Sequence, residues 1–323
     1  MDNPDFDHID NIFDELGPIP RLCLDYGVDE LSDYRDALSD ALSMLTIKNL
    51  EDLVHAAKRL DMGASGPQNS AMDSISQKIC LIRRLNPAHL GRKVEVLPIT
   101  AIIGSRIASQ LTNAERSEQI RLYKLLTALP EGKRMSGNVF EAYCQQRFRE
   151  RISIEFAPLV RLEDSNAPKN KSRYLHQWCT SNTMLTPPSL EASRKVALKK
   201  RTSLDIHPSS FFEFISSKQT GRKLKVISDV YYTHAAPNQE GFDSFIIHGG
   251  NLYLFQFTNA TTHGIKDFLG FFAQCTGCPA RKNWRFIFVI PSDTETAMIC
   301  PVPATNALRE LALYSAEVAV TAK

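Results

Sequence analysis

The stretch 242-FDSFIIHGGNLYLFQFT-258 decides the fold of this chain, because it combines two apolar runs with a glycine turn. Runs rich in Phe and Ile on either side of a Gly-Gly turn predict a β-hairpin. Side chains two residues apart point to the same face of a strand, so Gln256 and Thr258 share a face. The turn brings Asp243 alongside them. Polar oxygens collected on such an apolar hairpin indicate a site for a hard cation such as Mg²⁺.

Residues 131–323 predict a domain in which strands and helices are mixed. The other strand-like runs, rich in Val, Ile, Phe and Tyr, are ISIEFAPLVRL, LKVISDVYYTH and WRFIFVIP. Amphipathic patterns predict one helix over 136–152, before these runs, and another over 263–275, after the hairpin. This order predicts an α/β (α+β) domain whose mixed β-sheet is flanked by helices.

Residues 1–130 predict a separate helical region. Its apolar residues follow one helix face at Leu31, Tyr34, Leu38, Leu42 and Leu45. The change from helical to strand-like patterns places the boundary between the two domains near residue 130.

The composition favours a folded protein in an aqueous, reducing compartment. Of the 323 residues, 43% are hydrophobic and 23% are charged, which provides enough apolar surface for a core. No apolar run reaches the roughly 18–20 residues of a membrane helix. The acidic start MDNPDFDHID does not resemble a secretory signal. The seven cysteines are odd in number and scattered, which is typical of reduced thiols in the cytoplasm or nucleus.

Charge is unevenly distributed along the chain. Residues 1–40 contain twelve Asp or Glu and two Lys or Arg, a net of −10, so the remainder carries +12 within the total of +2. The stretch 194-RKVALKKR-201 contains five basic residues: Arg194, Lys195, Lys199, Lys200 and Arg201. Such a cluster is a candidate contact for nucleic-acid phosphates or a nuclear import signal, and it equally fits a solvated helix face.

The hairpin resembles the active-site strands of the PD-(D/E)xK nuclease superfamily, in which an Asp begins one strand and (D/E)-x-K follows on the next. Asp243 matches the first acid, and Gln256 and Thr258 occupy the positions of the second acid and the lysine. Glu141 in GNVFEAY matches a glutamate often found on the first helix. More narrowly, GFD-x₁₂-QFT, HGIK and WRFIFVIP resemble the restriction-endonuclease-like domain of Crinkler and RHS-type effectors.

This resemblance covers about residues 131–323 and implies hydrolysis of DNA phosphodiester bonds that depends on Mg²⁺ or Mn²⁺. It implies that Asp243, Glu141 and Gln256 hold the metal. In larger effectors of this kind, a P-loop NTPase module precedes a segment like GPIPR. No G-x-x-x-x-G-K-[ST] motif occurs in this chain, so we expect no ATP binding, and residues 1–130 would follow a lost module.

Two positions depart from the superfamily pattern. Gln256 replaces an acid and offers a metal only a neutral carbonyl oxygen, while Thr258 replaces the lysine. Lys266, predicted one turn into the following helix, takes the role of the lysine, as the resemblance allows, with Lys225 as a weaker substitute. His263 is a further candidate, as a base or a phosphate contact, because its charge changes near pH 7.

The candidate residues also have purely structural interpretations. Asp243 could bond the amides of a turn, and Gln256 could belong to a polar network within the sheet. Glu141 fits a solvated helix position, and His263 fits a helix cap. Cys275-x-x-Cys278 has the spacing of half a zinc site or of a redox pair, although two thiols in a turn are the favoured interpretation.

Two functions follow from these patterns. In the first, the chain is a nuclease that acts on DNA, with Asp243, Gln256, Lys266, Glu141 and His263 in catalysis. In the second, the altered site is inactive, and the domain binds nucleic acid or a host protein. The resemblance and the basic cluster imply a nuclear or cytoplasmic location, including delivery into a host cell by an unconventional route.

Overall fold

The computed structural model describes residues 6–61, 78–84, 94–162, 173–175, 201–214, 223–234, 241–260, 262–293, 298–301, 303 and 305–321. Contacts between residues divide the chain into two units, with the division after Tyr143. The second unit runs from Cys144 to Thr321. This division lies within a helix, later in the chain than the boundary near residue 130 that the sequence predicts.

The first unit is largely helical. Its helices are α1 (Phe6–Leu16), α2 (Pro20–Leu24), α3 (Val28–Ser43), α4 (Ile47–Asp61), α5 (Ala101–Leu111), α6 (Arg116–Ala128) and most of α7 (Met135–Arg149). Leu31, Leu38 and Leu42 form the buried face of α3, as their spacing predicts. An antiparallel pair of strands, β1 (Cys80–Arg84) and β2 (Val94–Pro98), interrupts the helices.

The second unit is built on an eight-stranded mixed sheet. Its strands are β3 (Ile152–Pro158), β6 (Thr202–Ile206), β7 (Ser210–Phe214), β8 (Val230–His234), β9 (Ser244–His248), β10 (Asn251–Phe257), β11 (Trp284–Pro291) and β13 (Ala312–Val318). Their order across the sheet is β6-β3-β13-β11-β10-β9-β8-β7. The remaining elements are a small sheet of β4 (Val160–Leu162), β5 (Arg173–Leu175) and β12 (Ile299–Pro301), and helices α8 (Leu269–Ala273) and α9 (Asn306–Arg309).

The predicted hairpin is present as β9 and β10, which pair antiparallel. Gly249 and Gly250 form its turn with φ angles of 54° and 76°. A two-residue turn of this type needs positive φ at both positions, which glycine adopts without strain. On its other side β10 pairs parallel with β11, so the sheet is mixed, as the sequence predicts.

The parallel pairing of β10 with β11 requires residues 258–283, here called the crossover segment, to pass over one face of the sheet. The predicted helix over 263–275 is wrong, because only Leu269–Ala273 is helical. Gly264 and Gly270 lower the helix propensity of this segment. The ring of Phe268, just before the helix, stacks on Phe286 with centroids 5.6 Å apart, so packing on the sheet fixes the segment instead.

Helical residues cover both faces of the sheet. On one face, Phe148 near the end of α7 packs against Phe255 and Phe257, with ring centroids 4.9 and 5.2 Å apart. On the other face, Phe271 and Phe272 of α8 belong to the core cluster. Successive residues of a strand alternate between the faces, which explains why an apolar strand such as β10 is buried on both.

Three strands of the sheet are absent from the sequence-based prediction. Strands β6 and β7 lie within residues 163–222. The polar and basic composition of that stretch predicts loops. Strand β13 lies near the centre of the sheet, yet it contains small residues such as Ser315 and Ala316, which carry little strand propensity. Pairing with neighbours on both sides therefore stabilises β13 more than its own sequence does.

Within the described ranges, no helix combines the length and the apolar character that crossing a membrane requires.

Phe148→Ala is expected to lower the free energy of unfolding by about 3–5 kcal/mol, because it removes a fully buried ring from the sheet. Urea unfolding followed by circular dichroism measures this change. The matched control is Phe212→Ala, since that ring is 48% exposed, and it should cost only about 1 kcal/mol. Equal losses from the two substitutions would contradict the packing described for α7.

Candidate functional site

Asp243 lies directly before β9, where it closes the hairpin opposite Gln256. Ser244 pairs with Phe255, so Asp243 and Gln256 are the next pair in the register. The Oδ2 atom of Asp243 accepts hydrogen bonds from Gln256 Nε2 at 2.7 Å and from the backbone N–H of Phe257 at 2.6 Å. The hairpin therefore brings Asp243 and Gln256 into direct contact.

The carboxyl group of Asp243 is in an environment that opposes its ionisation. Burial raises its pKa to about 7, although hydrogen bonds from Phe257 and Gln256 and the charge of Lys266 all lower it. Its Oδ1 atom accepts no hydrogen bond from the part of the chain that the structure describes. Asp243 therefore changes its charge near neutral pH, with one oxygen held and the other available to a ligand.

Lys266 lies close to Asp243, but not on the helix that the sequence predicts. It belongs to the irregular part of the crossover segment, before α8, and it is exposed. Its backbone packs against Gly241, where a Cβ atom would lie 3.0 Å from Lys266 O, and the φ of Gly241 is +71°. Glycine at this position thus allows the crossover segment to lie beside the start of β9.

His263 occupies a half-buried position in the same segment. Its ring lies edge-on to Phe288, with centroids 6.0 Å apart. Burial, and secondly the charge of Lys266, lower the pKa of His263, so the imidazole is neutral at pH 7. A neutral imidazole fits the predicted role of a base and does not fit a cationic contact with phosphate.

Thr258 follows β10 and forms a turn. Its backbone N–H donates to Val289 O at 3.0 Å, and its Oγ1 accepts from the N–H of Ala260 at 3.1 Å. No described hydrogen bond joins Thr258 to Asp243. The polar network of the hairpin therefore joins Asp243 to Gln256, while Thr258 ends the strand.

The other candidates lie on other elements or outside the described residues. Glu141 is half-buried on α7, in the portion that belongs to the first unit. Lys225 pairs its backbone with Thr276 in an isolated bridge. Arg201 pairs with Glu155 at 3.0 Å, and both side chains are largely exposed. The rest of the basic cluster lies outside the described residues: Arg194, Lys195, Lys199 and Lys200.

A row of polar residues on β8 and β9 is missed by the sequence analysis. Tyr231 donates its hydroxyl hydrogen to Ser244 Oγ at 2.7 Å, and Ser244 is fully buried. Arg149 Nη2 donates to Thr233 Oγ1 at 3.3 Å and to Glu213 Oε1 at 2.9 Å. The Nε atom of Arg149 is buried and has no hydrogen-bond partner in the described part of the chain.

Electrostatic effects on Tyr231 connect this row to Asp243. Burial raises the pKa of Tyr231, with the bond to Ser244 and the charge of Arg149 lowering it and the charge of Asp243 raising it. Arg149 and Asp243 thus act on the same hydroxyl. One signal in the sequence was available: Tyr231 and Thr233 lie two residues apart in β8 and therefore share a face.

The oxygen donors at the hairpin limit which metal could bind there. Among the residues that the structure describes, no three His, Cys, Asp or Glu form a group that would hold a metal ion. The hairpin offers Asp243 Oδ1 and the amide oxygen of Gln256. Mg²⁺ is often held by one or two carboxylates, several waters and substrate phosphates. These donors therefore fit a weakly held Mg²⁺ completed by substrate and do not fit an acidic cage.

Comparisons of the chain with family models, with curated proteins and with solved structures gave no match. Any function must therefore be argued from the residues of the site itself.

The stability of the protein is expected to fall, relative to that of Asp243→Asn, as the pH rises from 3.8 to about 7. Over this range the unfolded chain loses the proton of Asp243 while the folded chain keeps it, so deprotonation favours unfolding. The advantage of the folded state is fully present below 3.8 and lost as the pH passes about 7, a change on the order of 4 kcal/mol.

Urea unfolding of both proteins at a series of pH values measures this effect. Asn keeps an oxygen that accepts the bonds from Gln256 and Phe257, so the substitution removes the titration and little else. A free-energy difference that stays constant across the range would contradict the environment described for Asp243.

Proposed function

We propose that the second unit is a divergent domain of the PD-(D/E)xK nuclease type that hydrolyses phosphodiester bonds of DNA with Mg²⁺ or Mn²⁺. The observation that carries this proposal is the 2.7 Å hydrogen bond between Asp243 and Gln256. It joins the two positions to which the superfamily pattern assigns metal binding. Lys266 adds support, because its charge acts on Asp243 and supplies the cation that Thr258 cannot.

The order of the strands also supports the proposal. Strands β8, β9 and β10 pair antiparallel in succession, and β10 then pairs parallel with β11 through the crossover segment. The resemblance depends on a strand, Q-x-T, helix, strand order, and the crossover segment supplies the helix only as the short α8. The observed order places Asp243 and Gln256 on neighbouring strands and brings Lys266 back beside them.

The residues at the hairpin and in the crossover segment have separate roles in metal binding, charge stabilisation and proton transfer. Asp243 Oδ1 and Gln256 Oε1 would hold the metal, which when bound stabilises charge on phosphate and makes its bound water more acidic. Lys266 offsets the charge that develops on the scissile phosphate. His263, being neutral, can accept a proton on a ring nitrogen.

Nicking of supercoiled plasmid in Mg²⁺ or Mn²⁺ tests this function. Asp243→Asn should lower the rate by about 100-fold or more, and Lys266→Ala by about tenfold, because each removes a charge that acts on the reacting phosphate. The rate for the unchanged protein should rise with pH through about 7, as Asp243 ionises. Asp205→Asn, at an exposed position on β6, is the matched control and should leave the rate unchanged.

The hydrolysis proposal is lost if the unchanged protein nicks plasmid without added metal, or if Asp243→Asn and Asp205→Asn behave alike. Binding to labelled duplex DNA should also weaken as salt increases, because phosphate contacts release counterions.

One observation favours a second function, in which the domain binds nucleic acid or a host protein without catalysis. Gln256 turns its Nε2 group, not its oxygen, toward Asp243, and burial leaves that carboxyl only partly ionised at neutral pH. Both features weaken metal binding. Calorimetric titration with Mn²⁺ separates the functions: heat that Asp243→Asn removes supports hydrolysis, while DNA binding without that heat supports the second function. Either function suits a protein of the nucleus or cytoplasm.

A further inference from the structure

Cys275 and Cys278 lie on a sharp turn that directly follows α8 in the crossover segment. Both are reduced and half-buried. Gly277, between them, has a φ of +88°, a conformation that reverses the chain and that other residues rarely adopt. A Cβ atom on Gly277 would collide with the carbonyl oxygen of Val226. The turn that returns Cys278 toward Cys275 therefore depends on glycine.

The turn is held from both sides. Thr276, between the two cysteines, donates its N–H to Leu224 O at 2.9 Å and accepts from the N–H of Val226 at 2.8 Å. The carbonyl of Pro279, next to Cys278, accepts from Trp284 Nε1 at 2.8 Å. These bonds fix the backbone of the turn between and after the two thiols.

The two thiols interact with each other through a hydrogen bond. A hydrogen bond from Cys275 lowers the pKa of Cys278, against the effect of burial, which raises it. Cys275 Sγ also lies 3.5 Å from the carbonyl oxygen of Phe271, the direction in which a thiol donates. Cys278 is therefore the thiol that its neighbour makes easier to ionise, and Cys275 stands within reach of it.

We propose that Cys275 and Cys278 are a thiol–disulfide exchange site, which closes to an intramolecular disulfide by reaction with a low-molecular-weight disulfide. This site is independent of the function proposed for Asp243. Closure would link the end of α8 to the turn that Leu224 and Val226 hold, and a low-molecular-weight thiol would reverse it.

The exchange takes place in two steps, in which the numbers of bonds, electrons and protons are conserved. The Cys278 thiolate attacks one sulfur of the external disulfide R–S–S–R, whose S–S bond breaks, giving a mixed disulfide and one RS⁻ that takes up a proton. Cys275 then loses its proton to solvent and attacks the sulfur of Cys278, expelling the second RS⁻, which is also protonated. Two electrons and two protons pass from the cysteine pair to R–S–S–R, yielding two R–SH.

Mass spectrometry of the full chain tests the proposal. The protein is incubated with oxidised glutathione and EDTA, quenched in acid, alkylated and digested with trypsin. Cleavage after Lys266 and Arg281 releases 267-DFLGFFAQCTGCPAR-281, which contains no other cysteine. We expect this peptide to be lighter by two hydrogens and to carry neither glutathione nor alkyl groups. Treatment with reduced glutathione should restore both thiols.

Substitutions assign the roles of the two thiols. Cys275→Ser should accumulate the mixed disulfide at Cys278, because the second step is lost. Cys278→Ser should react at Cys275 at least about tenfold more slowly, because the thiol whose pKa the hydrogen bond lowers has been removed. Cys23→Ser, at a half-buried cysteine on α2, is the matched control and should behave like the unchanged protein.

The proposal is overturned if peptide 267–281 keeps two alkylatable thiols, or carries glutathione on both, under conditions in which Cys23 has reacted. A second sample is prepared without oxidised glutathione and without EDTA. The proposal is equally overturned if the pair in that sample resists alkylation until EDTA is added, since that result would identify a metal-binding pair.

Discussion

The parallel pairing of β10 with β11 is the constraint on which the second unit depends. Two antiparallel strands can be joined by two glycines, as β9 and β10 are, but parallel neighbours need a connection that returns across the sheet. The crossover segment is that connection, and it contains several of the residues to which a chemical role is proposed. Lys266 lies in its irregular first part, the Phe residues of α8 anchor its middle, and the cysteine pair lies near its end.

The electrostatic balance at Asp243 explains how a site with one carboxylate remains ordered. Donors from Gln256 and Phe257 both bind Oδ2, so the side chain is fixed by the hairpin itself. Hydrogen bonds to the charged form lower a carboxyl pKa, whereas burial raises it, and here burial is the larger effect. A cluster of several acids would repel one another without a metal, whereas this arrangement is stable with its donors alone.

The fold was predictable from sequence where short-range patterns determine it. Alternation and the Gly-Gly turn identify β9 and β10, and the same register places Asp243 beside Gln256 because few residues separate them. The position of Lys266 was not predictable in the same way, since it depends on a close approach to Gly241 that involves distant parts of the chain. Arg149 and Ser244 escaped notice for a similar reason. Their contacts depend on how the last residues of α7 pack on the sheet and on the pairing of β8 with β7 and β9.

Trp284, the first residue of β11, provides a fluorescence signal that depends on the crossover segment packed against it. The chain contains two tryptophans, and this one is only 7% exposed. Its ring packs 5.1 Å from that of Phe272, and its indole N–H bonds the residue that follows Cys278. The emission of an indole responds to the polarity around it and is quenched by a nearby disulfide. The fluorescence of Trp284 therefore registers, without any label, both the docking of α8 on the sheet and the oxidation state of the thiols beside it.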